Sequence, residues 1–285
     1  MRDHSKEFPL QKQFKILGIN SSAYYDWLKG KTHQKSMEDH NKEKRILEVF
    51  QQHKRRYGSR RIVATLAKEG IKTSRFKVSQ VLAHHGYKAI QPRSFVPKTT
   101  NSRHRYPISP NLLLERSPPS SPNKVWVGDI TYIPLADGRW AYLAEWMDLF
   151  SRMIVGWKIR EHMKEDLVIE AFKMAERMRQ PEKGLIAHSD RGGQYGGNGF
   201  RKLLANKYDQ SMSRADNPYD NAFMESCFSR FKTELLEGGI FENVEDARTE
   251  IFDYIELYYN RIRIHSSLDY KSPSEFEWDH YKKNK

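Results

Sequence analysis

The chain has 285 residues, 38% apolar and 12% aromatic, enough for a packed core and for about two domains. Its single cysteine, Cys227, excludes a disulfide framework and any cysteine-based zinc site, and it suits a reducing cytoplasm. No apolar run approaches the ~20 residues of a membrane span, and the first residues lack the apolar segment of a signal peptide, so no membrane partner is expected.

The net charge of +13 is unevenly placed. Residues 1–120 carry 25 Lys and Arg against 9 Asp and Glu, whereas residues 121–285 carry 24 against 27. Residues 51–100 alone hold 12 basic side chains and one acidic one. Such an asymmetry is the electrostatic footprint of a polyanion partner, nucleic acid first, with a basic solubilising face as the plainer alternative.

Residues 1–37 form an N-terminal helical segment. Leu10, Phe14 and Leu17 recur at helical spacing, Gly18 stops that helix, and Asn20 or Ser21 caps a second one through Trp27 and Leu28, a pattern that resembles a helix-turn-helix. Residues 38–90 read as a basic helix-turn-helix domain. A charged helix over 38–56 shows Ile46, Val49 and Phe50 as its apolar stripe. Ser59 caps a helix with Ile62, Val63 and Leu66, and Thr73 or Ser74 caps another with Phe76, Val78, Val81 and Leu82. Arg55, Arg56, Arg60, Arg61, Arg75 and Lys77 occupy the polar faces, the arrangement of a recognition helix in the major groove, with an ordinary helical pair and its solvated face as the plainer alternative. Residues 91–122 hold seven prolines together with Arg93, Lys98, Arg103 and Arg105. They read as an extended basic linker able to follow a phosphate backbone.

From residue 123 the composition changes. The segment 125–134 alternates as a strand with Val125, Val127, Asp129, Thr131 and Ile133 on one face. Segments 139–150 and 152–159 follow as strands, with Asp137-Gly138 as a hairpin turn. An amphipathic helix covers 164–179. A buried strand over 184–187 runs into Asp190, after which a glycine-rich stretch precludes regular structure. A helix at 199–206, a strand at 210–213, a long helix from Asn217-Pro218 to 237 and a last helix at 244–261 complete the chain. The order β-β-β-α-β-α-β-α-α predicts an α/β fold: an RNase H-like mixed five-stranded sheet with flanking helices, preceded by an all-α helix-turn-helix region. Trp126, Trp140, Trp146 and Trp157 read as core.

Asp129 is a carboxylate inside an otherwise apolar strand, where an unpaired buried acid is costly. Asp190 lies at a strand end, where ligand sites collect in open α/β sheets, although a turn aspartate is the simpler explanation of such a residue alone. The helix that follows offers Glu225, Asp216, Asp220 and Glu234, and spacing alone does not choose among them. Carboxylates converging from these elements would make a hard, oxygen-only site suited to Mg²⁺ or Mn²⁺. Asp148 reads as a turn residue and His188 as a packed histidine. Arg263 and His265 are equally consistent with DNA contact or with locking the last helix.

Five motifs and one upstream match carry a resemblance that settles the choice. They are Trp126-Val127-Gly128-Asp129-Ile130-Thr131-Tyr132; Asp148-Leu149-Phe150-Ser151-Arg152 with Val155-Gly156-Trp157; and His188-Ser189-Asp190-Arg191-Gly192 with Gln194-Tyr195. Next come Asp220-Asn221-Ala222 with Glu225-Ser226, Lys232 and Glu234, and Tyr259-Asn260 with Arg263, His265-Ser266-Ser267-Leu268 and Ser272-Pro273. Upstream stands Tyr57-Gly58-Ser59-Arg60-Arg61-Ile62. In this order, over nearly the whole chain, they resemble the OrfB transposases of the insertion-sequence-three family, DDE enzymes related to retroviral integrases.

The resemblance implies residues 123–285 as an integrase catalytic core with a C-terminal helical extension. It implies Asp129, Asp190 and Glu225 as the catalytic, metal-binding triad, with two Mg²⁺ or Mn²⁺ ions per site, and Lys232 as a DNA contact. Arg191, Asn221, Arg60, Arg61, Arg75, Lys77, Arg103 and Arg105 are the further DNA-contact candidates. The implied reaction is two-metal hydrolysis of a phosphodiester at the element end, followed by transfer of the freed 3′-OH. The implied partners are terminal inverted repeats, target DNA, a second copy of the chain, and an upstream helix-turn-helix and leucine-zipper module supplied as a fusion. The expected setting is the bacterial cytoplasm and nucleoid. Cys227 and Gly193 depart from the family pattern, which often has Phe and Ser there. The rival functions are a metal-dependent nuclease that does not join, and a DNA-binding regulator with an inactive core.

Overall fold

A computed structural model describes residues 8–30, 36–91, 106–114, 116–214, 222–236 and 240–284. The chain divides into two compact units, residues 1–88 and 89–285. Among the described residues no helix is long and apolar enough to cross a membrane.

The described part of the first unit is helical: α1 (Leu10–Leu17), α2 (Ser21–Leu28), α3 (Met37–Gln52), α4 (Ser59–Lys68) and α5 (Arg75–His84). Gly18 ends α1 in the left-handed conformation at φ 62°, and the Asn20 side chain accepts the Ser22 amide at the start of α2. Ser36 and Ser74 cap α3 and α5 through the amides of Asp39 and Lys77. Ser59, expected as a cap, is instead the first helical residue of α4, and Gly58 holds the cap position. The charged helix α3 also stops at Gln52, four residues short of the expectation, because Lys54 and Arg55 adopt positive φ and turn the chain. Ile46, Val49, Phe50, Tyr57, Ile62, Leu66 and Val78 are buried. Phe76, expected on the apolar stripe of α5, is 72% exposed, since the inward face is made by Val78, Val81 and Leu82.

The second unit is built on a five-stranded sheet in the order β3-β2-β1-β4-β5. The strands are β1 (Val125–Pro134), β2 (Trp140–Asp148), β3 (Ile154–Arg160), β4 (Ile186–Ser189) and β5 (Asp209–Met212). β1, β2 and β3 form an antiparallel meander, and β4 and β5 join β1 in parallel. The helices are α6 (Glu165–Arg179), α7 (Gly193–Gly196), α8 (Asn198–Leu204), α9 (Ala222–Leu236), α10 (Val244–Phe252) and α11 (Pro273–Lys283). This is the mixed, helix-flanked sheet of the RNase H-like class.

The period-2 pattern of β1 explains its two faces. Val125, Val127 and Ile133 join a core with Met224, Phe228 and Phe231 of α9 and Ile251 of α10. Trp126, from the opposite face, packs with Trp146, Phe172 of α6 and Phe200 of α8. Gly156 of β3 permits the close seating of α6, because a Cβ there would collide with the backbone of Ala171 and Ala175.

Further expectations need correction. The glycine-rich stretch after Asp190 contains the helical turn α7, closed by the Tyr195 and Gly196 amides on the Gly192 carbonyl and anchored by the buried Tyr195 side chain. Trp140 is 42% exposed rather than core, at the start of β2 and edge-on to Tyr132. The expected last helix is α-helical only to Phe252 and continues as a π-helix over Asp253–Tyr259, which carries the buried Tyr254 and Tyr259. The C-terminal α11 was not expected, although Ser272 and Glu275 form a capping box with Pro273 in the first turn. Residues 106–114, read as linker, form no regular element but do pack: Leu112 donates to Ser211 Oγ at 2.9 Å, and Leu112 and Leu113 rest on the α9-side core.

Candidate active site

The last residue pair of the parallel β1–β4 ladder is Gly128 with Ser189. Asp129 and Asp190 are therefore the next residues on the two strands, at the fork where the ladder ends. Together with Ile130, Met163, Gly192, Gln194 and Tyr195 they line one pocket. Both acids are half-buried. Asp129 Oδ1 accepts the Ile130 amide at 2.8 Å, and Asp190 Oδ1 accepts the Gly192 amide at 2.9 Å. Gln194 Nε2 donates to the Met163 carbonyl at 3.0 Å and steadies the rim.

Burial raises the Asp129 pKa well above the usual carboxylate range, and the charges of Asp190 and Glu225 raise it further, while the Ile130 amide and Lys232 oppose them. Glu225 thus makes itself felt at Asp129 from the first turn of α9, but its side chain is exposed and outside the pocket lining. Among the described residues no three His, Cys, Asp or Glu side chains stand close enough to cage a metal ion. The structure brings Asp129 and Asp190 together and leaves Glu225 at the edge.

Lys232, two turns after Glu225, sets its ammonium 3.6 Å from the centroid of the Tyr132 ring. Burial pushes its pKa down to about 8, against the pull of Asp129. Arg191 donates from Nε to the Ser213 carbonyl at 2.8 Å. In the first unit Arg60 and Arg75 are exposed. There Arg61 lies over the Tyr57 ring, and Lys77 Nζ is 3.8 Å from Asp39. Asn221, Arg103 and Arg105, and with them Asp216 and Asp220, lie outside the described residues.

Two groups that the sequence did not single out surround the acid pair. Glu145 of β2 is the register partner of Asp129 and is fully buried. Tyr195, 1% exposed, lines the pocket. Glu145 had a signal in the sequence, as an acid between Ala144 and Trp146 in an apolar strand. Tyr195 had none beyond its motif.

Asp148 is fully buried and accepts the Asn123 and Phe150 amides at 2.6 and 2.9 Å, as a turn residue does. His188 meets Ser211 Oγ at 2.8 Å in the core. Arg263 is 1% exposed and pairs with Glu234 at 2.8 Å. Its guanidinium holds the C-terminal segment to α9.

A mixed β3-β2-β1-β4-β5 sheet with two aspartates at the fork of β1 and β4, in a chain that also carries a helix-turn-helix unit, defines a DNA-processing protein with an integrase core. The family comparisons agree. Integrase core domains match residues 119–218 and 206–273, and an HTH-like domain matches residues 37–95. The transposase for insertion sequence element IS904 of Lactococcus lactis subsp. lactis is 43% identical over 234 residues, 82% of this chain and 92% of the relative. The 31 kDa protein of insertion element IS600 of Shigella sonnei is 38% identical over 92% of this chain and 96% of its own. Transposase InsF for insertion sequence IS3A of Escherichia coli is 34% identical over 96% of both. The chain belongs to the insertion-sequence-three family of transposases.

Among solved structures, the intasome of simian T-cell lymphotropic virus in complex with PP2A regulatory subunit B56 gamma covers 82% of this chain and 73% of its own, at 15% identity and a TM-score of 0.44. The integrase catalytic core domain of HTLV-2 in complex with magnesium covers 55% of this chain and 98% of its own, at 15% identity and a TM-score of 0.40.

Proposed function

We propose that the chain cuts and joins DNA at the fork of β1 and β4, with Asp129, Asp190 and Glu225 as the catalytic acids. The observation that carries this reading is the convergence of Asp129 and Asp190 on one pocket, with the charge of Glu225 reaching Asp129 from α9.

The donor set fits a divalent cation. It is made of carboxylate oxygens, and the crowding that raises the Asp129 pKa is what a bound cation offsets. Asp129, Asp190 and Glu225 would hold two Mg²⁺ or Mn²⁺ ions. When bound, such ions supply Lewis-acid activation of water and neutralise charge on a phosphodiester.

The protein's own groups position the reactants. The Ile130 and Gly192 amides each hold one oxygen of an aspartate and orient the rest. Lys232, cationic below about pH 8, offers a counter-charge to a phosphate beside Asp129. Arg60, Arg61, Arg75 and Lys77 bring the positive charge that a DNA duplex neutralises, with Arg103, Arg105, Arg191 and Asn221 as further contacts. The reaction is hydrolysis of a phosphodiester at an element end, freeing a 3′-OH, followed by attack of that 3′-OH on a second phosphodiester. The DNA partners are the element's terminal inverted repeats and the target. Pairing two ends calls for at least two copies of the chain, and an upstream helix-turn-helix and leucine-zipper module acts with it as a fusion.

The test incubates the chain with Mg²⁺ and a labelled duplex carrying the element's terminal repeat, beside Asp190→Asn. Nicked and joined products from the unaltered chain alone are expected. Nicks without joins would reduce the reading to a nuclease. Binding without breakage, also after fusion to the upstream module, would make the chain a DNA-binding regulator.

A further inference from the structure

Tyr195 lies on the helical turn α7, five residues after Asp190. Its ring stands edge-on to Trp146 and Phe200, with centroids 5.8 and 5.7 Å away and interplanar angles of 88° and 81°. Trp146 is itself fixed, because its ring fills the space that a side chain at Gly128 would need, 2.8 Å from the Cβ position. The residue before Asp129 thus admits the tryptophan against which Tyr195 leans. The Tyr195 backbone is held as well, its carbonyl accepting Gln210 Nε2 at 2.6 Å.

This packing leaves the hydroxyl of Tyr195, a residue that lines the acid pocket, buried with no hydrogen-bond partner among the described residues. Phenylalanine would fill the same space without a stranded polar group, and a stranded buried hydroxyl is destabilising. The hydroxyl makes physical sense where an acceptor comes to it. Burial raises its pKa well above the usual phenol range, and the charges of Asp129 and then Asp190 add to this, so it remains a neutral O–H donor. Asp129 has an oxygen to offer: Oδ1 takes the Ile130 amide, and Oδ2 accepts no hydrogen bond among the described residues.

We propose that Tyr195 is a positioning residue of the cleavage site, whose hydroxyl donates to the Asp129 carboxylate when the acid pair closes on a divalent cation. The inference rests on the function proposed above. One donor fixed in a rigid aromatic socket then holds the Asp129 carboxylate in a single orientation, in the way that outer groups orient metal-ligating side chains.

The test is Tyr195→Phe in the full chain, read in three ways. The unfolding midpoint is expected to stay the same or to rise. Mn²⁺ affinity, by titration calorimetry without DNA, is expected to fall about tenfold, within the 10–100-fold range of an outer-shell partner. The cleavage rate at saturating Mn²⁺ is expected to fall by a similar factor, with the KM for DNA unchanged. Installing 4-aminophenylalanine at 195, which keeps a donor on the same ring, is expected to restore Mn²⁺ affinity, whereas 4-methylphenylalanine is not. This pair also decides the matter if Tyr195→Phe disturbs folding. Mn²⁺ binding and cleavage by Tyr195→Phe equal to the unaltered chain would overturn the inference and leave the proposed function standing. Failure of the unaltered chain to bind Mn²⁺ any better than Asp129→Asn would overturn both.

Discussion

Glu145 stands directly across the β1–β2 ladder from Asp129, fully buried, with neither carboxylate oxygen hydrogen-bonded among the described residues. Burial, and then the charge of Asp129, push its pKa up to about 8 from an ordinary value of 4.5. The folded protein therefore keeps this proton over a range in which the unfolded chain has lost it. The pH-dependent part of its cost is absent below pH 4.5, and it lowers stability progressively as pH rises to about 8. Glu145→Leu is expected to flatten the pH dependence of unfolding and to gain about 2–5 kcal/mol more at pH 8 than near pH 4.5. Urea unfolding of both proteins at pH 5 and pH 8 measures this, and equal pH dependences would refute it.

Lys232 is held down to about pH 8 by burial. Its cation is present below that pH and is lost above it. Lys232→Gln is expected to weaken binding to a terminal-repeat duplex at pH 7 and to reduce the slope of log K against log salt by about 1. Above pH 9 the two proteins should bind more alike. Fluorescence anisotropy at several salt concentrations is the measurement.

Arg263 and Glu234 form a buried ion pair, and the Tyr254 hydroxyl donates to Glu234 Oε2 at 2.8 Å. Removing one partner strands the other charge. Arg263→Ala or Glu234→Ala is each expected to cost about 3–5 kcal/mol, whereas Arg263→Met with Glu234→Leu should cost much less. A double-mutant cycle in denaturant unfolding gives the coupling, and additive losses would rule the pairing out as the cause.

Gly156 lies under the backbone of α6. Gly156→Ala is expected to push the helix off β3 and to lower stability by about 3 kcal/mol. The loss should appear in thermal unfolding of the core, with DNA binding by the first unit unaffected.

Phe76 is 72% exposed on α5, whereas Val78 beside it is fully buried. Phe76→Ala should leave unfolding within about 0.5 kcal/mol of the unaltered chain, and Val78→Ala should destabilise by about 2 kcal/mol. Arg75→Ala, on the same exposed face, is expected to weaken DNA binding with stability unchanged. A stability loss from Arg75→Ala as large as that from Val78→Ala would count against a DNA-facing role.

Element types and their approximate order were legible in the chain because periodicity and caps are local. The alternation over 125–134, the Ser74 cap and the Gly18 stop each act within a few residues. Asp129 was legible as an oddity, an acid where burial makes an acid costly, and Asp190 only as an acid at a strand end. That they share a pocket was not local information. Asp129 and Asp190 meet because β4 pairs in parallel with β1 and the ladder ends one residue before both. Periodicity assigns a side chain to a face, but it does not say what covers that face. Phe76 and Trp140 therefore read as core and are exposed, while Glu145 lies opposite Asp129 and Tyr195 lines the same pocket as Asp129. Those placements were decided by strand register and by the aromatic packing of Trp146, Phe172 and Phe200, interactions between segments far apart in the chain.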